Sequence, residues 1–503
     1  MLITEKSRYL VVPTSRAAKR IKIYIKAGEK LLLDLDASVD FKAPETVFYY
    51  DLGRFAGLDI EVASEADRSF GFSEKPAPVT AEDCRPLLHF TADKGWLNDP
   101  NGLCRYEGRY HVFFQHNPVG LQWGNMHWGH AVGDSLFDLE EKGDVLFPDE
   151  LGDMFSGSAI VDTDNLLGLK ENEHDPLLLF YTAAGDGREL SAGAEFTQCI
   201  AYSTDGGETF TKWDGNPAVP HIKGSNRDPK VIRDPKSGVY VMALYLDGDE
   251  YALLTSKNLA DWKQLQTLSL PGDNECPDFF PLKDENGSEK WVLTGAHDCC
   301  LIGDFDPERG LVNTGDVQKF GFGRAYAAQS FNLGDDLRRI RVAWNRFTST
   351  PSKNFNCELG IPCELTLRNG KLRIAPVKEL DDRFERVEIS ENLPSHGFRR
   401  RITLPCDITL ELSKSEEPVV INLCGAELKL DAAGVLTVNS GESMPLRLSD
   451  GKAAFRIIAD RTGIEVFDLS GLCYGAFEVC PEGDILTIGG EGSLDRLTVR
   501  ELK

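Results

Sequence analysis

Residues 201–213 read AYSTDGGETFTKW, which is a strand end, a polar turn and the start of a second strand. Residues 131–137 (AVGDSLF) and 253–259 (LLTSKNL) repeat the strand end and the turn, and two of the three copies close on a tryptophan. Units of this kind that recur at intervals of about 50 to 70 residues are typical of β-propeller blades. The repeat therefore predicts a propeller in the middle of the chain.

The remainder of the chain also predicts strands. Short alternating or β-branched stretches such as residues 110–114 (YHVFF) and 177–181 (LLLFY) are separated by Gly, Asp, Asn and Pro. Helical periodicity is nearly absent, and the best helical windows are residues 15–19 and the segment after Pro376. The fold class predicted from these patterns is all-β.

Composition divides the chain into three predicted domains. Residues 1–76 hold alternating strands and are followed by a proline-rich linker, which indicates a small N-terminal β-domain. Residues 81–376 hold the aromatic-rich blades of the β-propeller, which we take as the catalytic domain. Residues 395–503 have the hairpin spacing of a C-terminal β-sandwich.

Charge and composition exclude several classes of partner. The chain has 503 residues, with 55 basic against 80 acidic side chains and a formal net charge of −25, so phosphates are repelled. We expect no nucleic acid and no membrane as partner, and a neutral substrate instead. The first residues show no secretory signal or membrane span, which predicts a cytoplasmic protein. The twelve scattered cysteines favour free thiols, and neither they nor the histidines have metal-ligand spacing, so no metal and no cofactor is expected.

Three acidic cassettes are the candidates for chemistry. Residues 96–102 read WLNDPNG, residues 227–229 read RDP, and residues 275–278 read ECPD. Each places a carboxylate within two residues of a proline, which fixes its own φ and favours extended backbone at the residue before it. The alternative is that an Asp-Pro pair is only a turn, as at residues 175–176 and 306–307.

The sequence around the first cassette favours a sugar-binding site. Residues 110–118 and 123–130 are dense in aromatic, amide and imidazole groups, and sugars pack their C–H faces on aromatic rings while their hydroxyls need paired donors and acceptors. Hydrolysis of a glycosidic bond needs one ionised carboxylate and one protonated carboxylic acid. Asp99 and Glu275 can supply this pair, and Asp228 can bond sugar hydroxyls beside Arg227.

At these positions the chain resembles glycoside hydrolase family 32, the β-fructofuranosidase, invertase, exo-inulinase and levanase family, over about residues 86 to 500. The resemblance implies a five-bladed β-propeller followed by a β-sandwich. It implies that Asp99 is the nucleophile, Glu275 the general acid and base, and Asp228 the transition-state stabiliser. The motifs that carry it are WLNDPNG (96–102), FQHNP (114–118), WGNMHWGH (123–130), FSGSA (155–159), RDPKV (227–231) and ECPDFF (275–280). The positions that match the fructose pocket of the family are Asn98, Gln115, Trp123, Phe155, Ser156 and Arg227.

The function predicted from this resemblance is a retaining, exo-acting β-fructofuranosidase that acts on sucrose, fructo-oligosaccharides or fructans by double displacement. Four alternatives stay open: a fructosyltransferase, a sucrose-6-phosphate hydrolase, a non-catalytic sugar-binding propeller, and an inverting relative that acts on arabinose-containing glycans. The loops at residues 186–196 and 223–226 are expected to set linkage and chain-length preference. The N-terminal domain is expected either to pair subunits, which makes a homo-oligomer, or to cover the pocket.

Overall fold

The computed structural model describes residues 1–66, 68–79, 82–334, 338–394, 398–413, 415–439, 441–490 and 493–503. Two predicted domain boundaries, at residues 81 and 395, lie outside these described residues. The chain divides into two compact units. The first holds Met1–Glu82, Thr91–Leu268 and Pro351–Cys357, and the second holds Asp83–Phe90, Ser269–Thr350 and Glu358–Lys503.

The first unit begins with the strands that the sequence predicts for the N-terminal domain. They form two three-stranded antiparallel sheets, in the orders β4-β1-β6 and β3-β2-β5. Apolar side chains that alternate along β1 to β4 meet in one core, which also takes in Val119 from a later loop. The bounds are β1 (Tyr9–Thr14), β2 (Arg20–Ala27), β3 (Lys30–Ser38), β4 (Thr46–Asp51), β5 (Glu61–Ser64) and β6 (Gly71–Ser73).

Three further antiparallel sheets complete the first unit, each built from four consecutive strands. The predicted repeats fall at the third strand of each sheet, where β9, β13 and β17 end before a turn. The segment Phe355–Asn356 adds to the first sheet as a parallel neighbour of β7. The bounds are β7 (Gly95–Tyr106), β8 (Arg109–Asn117), β9 (His127–Gly133), β10 (Leu139–Leu146), β11 (Asp153–Val161), β12 (Leu177–Ala184), β13 (Thr197–Ser203), β14 (Thr211–Lys212), β15 (Arg227–Arg233), β16 (Tyr240–Asp247), β17 (Glu250–Ser256) and β18 (Lys263–Ser269).

The second unit holds two sheets of the same kind, β19-β20-β21-β22 and β25-β26-β29-β30, with β23 and β28 paired at their sides. Strand β24 pairs in parallel with a strand near the chain end. The bounds are β19 (Asp278–Lys283), β20 (Glu289–Thr294), β21 (Cys299–Asp306), β22 (Gly310–Val312), β23 (Gln318–Lys319), β24 (Gly321–Gly323), β25 (Ala325–Ser330), β26 (Arg339–Asn345), β27 (the Phe355–Asn356 strand of the first unit), β28 (Glu358–Leu359), β29 (Cys363–Arg368) and β30 (Lys371–Pro376).

The rest of the second unit is a pair of larger sheets, β24-β40-β39-β38-β33-β42-β31 and β32-β41-β34-β35-β36-β37. Buried residues of both sheets share one hydrophobic core, with Phe455 and Val466 from the first and Ile421 and Leu486 from the second. The bounds are β31 (Phe384–Pro394), β32 (Phe398–Arg401), β33 (Cys406–Ser413), β34 (Val419–Leu423), β35 (Ala426–Leu430), β36 (Val435–Val438), β37 (Ser443–Pro445), β38 (Lys452–Ala459), β39 (Gly463–Asp468), β40 (Tyr474–Glu478), β41 (Ile485–Gly489) and β42 (Ser493–Leu502).

Strands dominate and helices are short and few, so the structure is nearly all-β, as predicted. In the described residues they are the 3-10 helices Glu5–Ser7, Gly53–Phe55 and Lys378–Arg383. The last lies after Pro376, where one helical window was expected. The other expected window, residues 15–19, is wrong: a turn closed by the Ala18 N–H on the Ser15 carbonyl leads directly into β2.

The twelve cysteines are free thiols, as predicted, and ten of them are buried. The described residues contain no helix that is long and apolar enough to cross a membrane.

A cluster of ionisable groups is buried in the second unit. His89 Nδ1 lies 3.0 Å from Asp460 Oδ2, and His89 Nε2 lies 3.3 Å from Glu465 Oε2. Burial opposes the imidazolium, but Glu358, Asp460 and Glu465 together hold the pKa of His89 well above its usual value. Burial also raises the pKa of Glu358 to about 7, against the opposing effect of His89. The cluster therefore couples the stability of this unit to pH.

Candidate active site

Asp99 lies on a β-bulge in the first strand of its sheet. Leu97 pairs with His116 and Pro100 with Phe114, so Asn98 and Asp99 together oppose the single residue Gln115. A bulge re-aims the side chains of the extra residue and is common beside active sites. Asn98, Asp99 and Gln115, which the sequence predicts as site residues, therefore lie together at this bulge.

Two hydrogen bonds orient the Asp99 carboxylate. The Ser156 hydroxyl donates to Asp99 Oδ2 at 2.6 Å, and the Asn98 amide donates to Asp99 Oδ1 at 3.2 Å. The Asn98 amide is itself fixed, because the indole N–H of Trp96 donates to its oxygen at 2.8 Å. A hydrogen bond to an ionised oxygen is shorter and stronger than a neutral one, and 2.6 Å is in that range.

Ser156 is also a bulge residue. On β11, Phe155 pairs with Thr182 and Gly157 with Tyr181, so Ser156 is the extra residue. The backbone approaches its neighbour so closely here that a Cβ at Gly157 would meet the Phe180 carbonyl oxygen at 1.9 Å. Only glycine fits this position, which fixes the direction of the preceding serine.

Asp228 lies on the third bulge. Arg227 pairs with Tyr245 and Lys230 with Ala243, which leaves Asp228 and Pro229 opposite one residue. The expectation of extended backbone before this proline is wrong: Asp228 has a φ of +64°. Aspartate tolerates this left-handed region better than most residues, and the Asp228 N–H is held at 2.9 Å by the Thr182 hydroxyl.

The environment of Asp228 is buried and charged. Its residue exposure is 6%. The Arg227 Nε lies 3.7 Å from Asp228 Oδ2, and the Arg227 guanidinium lies 4.5 Å from the centre of the Tyr245 ring. The arginine therefore lies between the Tyr245 ring and the Asp228 carboxylate, close enough to Asp228 for an ion pair.

Side chains of β11 connect the strands that carry the two aspartates. The Ser156 hydroxyl on β11 donates to the Asp99 carboxylate on β7. The Ser158 hydroxyl donates to the Pro229 carbonyl at 2.8 Å and accepts the Val231 N–H at 2.8 Å, both on β15. Strands β7, β11 and β15 are each the first of their sheet, so the three bulges lie on neighbouring strands.

The remaining predicted pocket residues are two aromatics and a glutamine. Gln115 is buried and donates to the Met154 carbonyl at 2.9 Å. Trp123 is 53% exposed and meets Phe155 edge to face with ring centres 5.9 Å apart. An exposed indole beside a second ring offers the apolar surface on which sugar rings pack.

Glu275 belongs to the second unit. It precedes β19 and has a φ of +51°, and the following Cys276 has a φ of +37°. Non-glycine residues persist in this region when their surroundings hold them, and they are frequent at functional sites. Cys276 packs with Ala296 and Ala327 beneath the Tyr326 ring.

Tyr326 is a site residue to which sequence reasoning gave no role. Its hydroxyl donates to Glu275 Oε2 at 2.6 Å and lies 3.3 Å from Asn274 Oδ1. The Arg346 guanidinium lies 4.3 Å from the centre of the Tyr326 ring. The sequence signal was the YAAQSF segment from residue 326, which marks the strand but not the contact with an acid 51 residues earlier.

Two other Asp-Pro pairs, at residues 306–307 and 234–235, are turns, whereas Asp175 forms an ion pair with Lys170 and lies shortly before β12. Asp306 accepts the N–H groups of Glu308 and Arg309, and Asp234 accepts those of Lys236 and Ser237. No group of three or more potential metal ligands occurs among the residues that the structure describes. Carboxyl groups held beside hydroxyl donors and an exposed indole are the groups that a glycoside hydrolase needs.

Comparison with known proteins agrees with this class. The family model described as "Glycosyl hydrolases family 32 N-terminal domain" matches residues 89–376. The chain is 33% identical to a levanase from Bacillus subtilis (strain 168) over 453 residues, which are 78% of this chain and 65% of the levanase. It is 37% identical to an extracellular exo-inulinase from Aspergillus awamori over 367 residues, which are 63% of this chain and 68% of the inulinase.

A solved structure shares the fold. The crystal structure of exo-inulinase from Aspergillus awamori matches with a TM-score of 0.74 at 24% identity, covering 84% of this chain and 99% of that one. The chain belongs to glycoside hydrolase family 32. It spans just under two thirds of the length of the levanase that it resembles.

Proposed function

We propose that this chain is a retaining, exo-acting β-fructofuranosidase that releases terminal β-D-fructofuranosyl units from sucrose or fructans by double displacement. The observation that carries the proposal is the set of bulges that present Asp99, Ser156 and Asp228 on neighbouring first strands. Its relatives are named levanase and exo-inulinase, which supports fructan as the substrate class. On this proposal the four-stranded sheets are blades of the five-bladed propeller, and the two larger sheets are the β-sandwich.

In the first step Asp99 attacks the anomeric carbon of the terminal fructose. The Ser156 and Asn98 hydrogen bonds orient its carboxylate, and the bond from that carbon to the leaving oxygen breaks as the covalent fructosyl-enzyme forms. Glu275 gives its proton to the leaving oxygen and becomes ionised. Asp228 accepts hydrogen bonds from fructose hydroxyls, which strengthen as positive charge develops on the ring.

In the second step water replaces the leaving group. Glu275 now accepts a proton from the water, whose oxygen attacks the anomeric carbon and releases Asp99. The two inversions return fructose with its original anomeric configuration. Tyr326 holds Glu275 Oε2 through both steps, so that Oε1 is the oxygen that gives and takes the proton.

The test is release of fructose from sucrose, sucrose-6-phosphate, inulin, levan and short fructo-oligosaccharides by the purified chain. We expect free fructose from at least one of the neutral substrates and its loss in Asp99→Asn. Asp306→Asn is the matched control, because Asp306 also precedes a proline but only closes a turn. No fructose from any substrate refutes the proposal, and oligosaccharide accumulation at high sucrose favours the fructosyltransferase instead.

A further inference from the structure

The N-terminal strands are joined firmly to the part of the first unit that holds Asp99. Arg188 is buried, and its guanidinium donates to Asp153 Oδ1 at 2.5 Å and to the Asp34 carbonyl on β3 at 2.5 Å. The Tyr50 hydroxyl lies 2.9 Å from His127 Nε2 in a buried contact. These strands therefore have a fixed position beside the sheets that carry the candidate site.

A cavity lies at this junction, and we call it the junction cavity. Its volume is about 570 Å³, which is in the range of small-molecule sites. One wall holds Lys19 and the start of β2 with Arg20 and Lys22, and the other includes Trp123 and Phe155. Two residues that line the cavity, Trp123 and Phe155, therefore also belong to the predicted fructose pocket.

The aromatic wall leads toward Asp99. The rings of Trp123, Phe155 and Phe196 follow one another edge to face, with centres 5.9 and 5.8 Å apart. Phe155 is followed directly by Ser156, whose hydroxyl bonds Asp99. A sugar chain with its terminal unit at Asp99 can therefore continue along these rings, because ring C–H faces pack on aromatic surface.

The charges of the cavity single out Arg20. Lys19 lies 3.7 Å from Glu65, Lys22 lies 3.5 Å from Asp34, and Arg188 is paired with Asp153. Arg20 is exposed and has no hydrogen bond or ion pair from its guanidinium within the described ranges of the chain. Its Nη2 lies over Gly124, where a Cβ would approach it to 2.2 Å.

We propose that the junction cavity is a subsite for the sugar units of a fructan beyond the terminal fructose, with Arg20 as a specificity residue supplied by the N-terminal domain. The proposal rests on the proposed function. Arg20 donates to ring hydroxyls while the units pack on Trp123. A neutral sugar fits better than a phosphate, because the other lining cations are already paired and the lining also holds the carboxylates of Asp36, Glu65 and Asp153.

Kinetics on chains of increasing length test the proposal. We expect Arg20→Ala to raise KM for inulin- and levan-type oligosaccharides about tenfold more than for sucrose, as expected for loss of one charged hydrogen bond. Lys30→Ala is the control, since Lys30 is an exposed cation of the same domain that does not line the cavity. Equal losses on short and long chains overturn the proposal, and so does a loss confined to sucrose-6-phosphate.

A binding measurement distinguishes failure of this inference from failure of the proposed function. Calorimetry with the Asp99→Asn protein and a fructo-oligosaccharide measures the subsite without turnover, and the affinity should fall about tenfold when Arg20→Ala is added. Unchanged affinity in the double variant refutes the subsite. Absence of fructose release by the wild-type protein refutes the proposed function alone.

Discussion

The hydrogen bond from Tyr326 to Glu275 predicts that removal of the Tyr326 hydroxyl slows the reaction, because Glu275 becomes charged in the proposed first step. In the first step Glu275 goes from a neutral acid to a carboxylate, and the Tyr326 O–H donates to Oε2 at 2.6 Å throughout. A hydrogen bond to a charged acceptor contributes about 1.5–3 kcal/mol and a neutral one about 0.5–1.5 kcal/mol. The bond therefore stabilises the transition state more than the ground state, by roughly 1–1.5 kcal/mol.

Tyr326→Phe should accordingly lower kcat/KM on sucrose or an oligosaccharide by about 5- to 12-fold, since each 1.36 kcal/mol is tenfold in rate. The assay compares a natural substrate with an aryl fructoside whose leaving group needs no proton. The loss should shrink toward unity on the aryl substrate, because Glu275 then gives no proton in the transition state. Tyr202→Phe is the control, as no described group bonds the Tyr202 hydroxyl. An equal loss on both substrates would show that Tyr326 acts only through the fold, and no loss on either would refute the reasoning.

Three other substitutions have expected outcomes. Asp228→Asn should lower kcat by about 100-fold or more with a smaller change in KM, because hydrogen bonds to the sugar hydroxyls strengthen in the transition state, and steady-state kinetics check this. Glu358→Gln should flatten the pH dependence of stability: the folded protein keeps a proton on Glu358 between pH 4.5 and about 7, so the wild-type protein loses about 3 kcal/mol as pH rises through that window. Thermal unfolding of the wild-type protein and of Glu358→Gln at pH 5 and pH 8 measures this dependence. An equal change in melting temperature between the two pH values in both proteins would contradict the prediction. Arg188→Met should lower the free energy of unfolding by about 3 kcal/mol, because it leaves Asp153 buried without its cation, and urea denaturation that shows less than about 1 kcal/mol would contradict this.

Strand content and the family could be predicted because they depend on local patterns. Alternating apolar residues predicted strands in residues 1–76, where β1 to β6 are found, and the three turn repeats fall at equivalent strands of three sheets. Motifs that are contiguous in sequence, such as WLNDPNG, were sufficient to identify the family. The predicted three-domain division stays a prediction, and so does the cytoplasmic location.

Contacts between distant residues could not be predicted in the same way. The bulges depend on how two strands pair, so the left-handed backbone of Asp228 overrides the local preference of a residue before proline. Tyr326 and Arg20 reach their positions through tertiary packing, and a single sequence holds no signal that joins Tyr326 to Glu275 or Arg20 to Gly124. The sequence therefore named the acids and, through the family motifs, Asn98 and Ser156 beside Asp99, but it did not name Tyr326 beside Glu275 or Arg20 beside Gly124.

The identity of the nucleophile is the central claim, and trapping the covalent intermediate tests it most directly. Acid quenching during turnover of a fructan, followed by proteolysis and peptide mass spectrometry, should find one dehydrated fructose unit attached to Asp99. The fructose first released should show the retained anomer by nuclear magnetic resonance. A label on another carboxylate, or release of the inverted anomer with no label, would contradict the account.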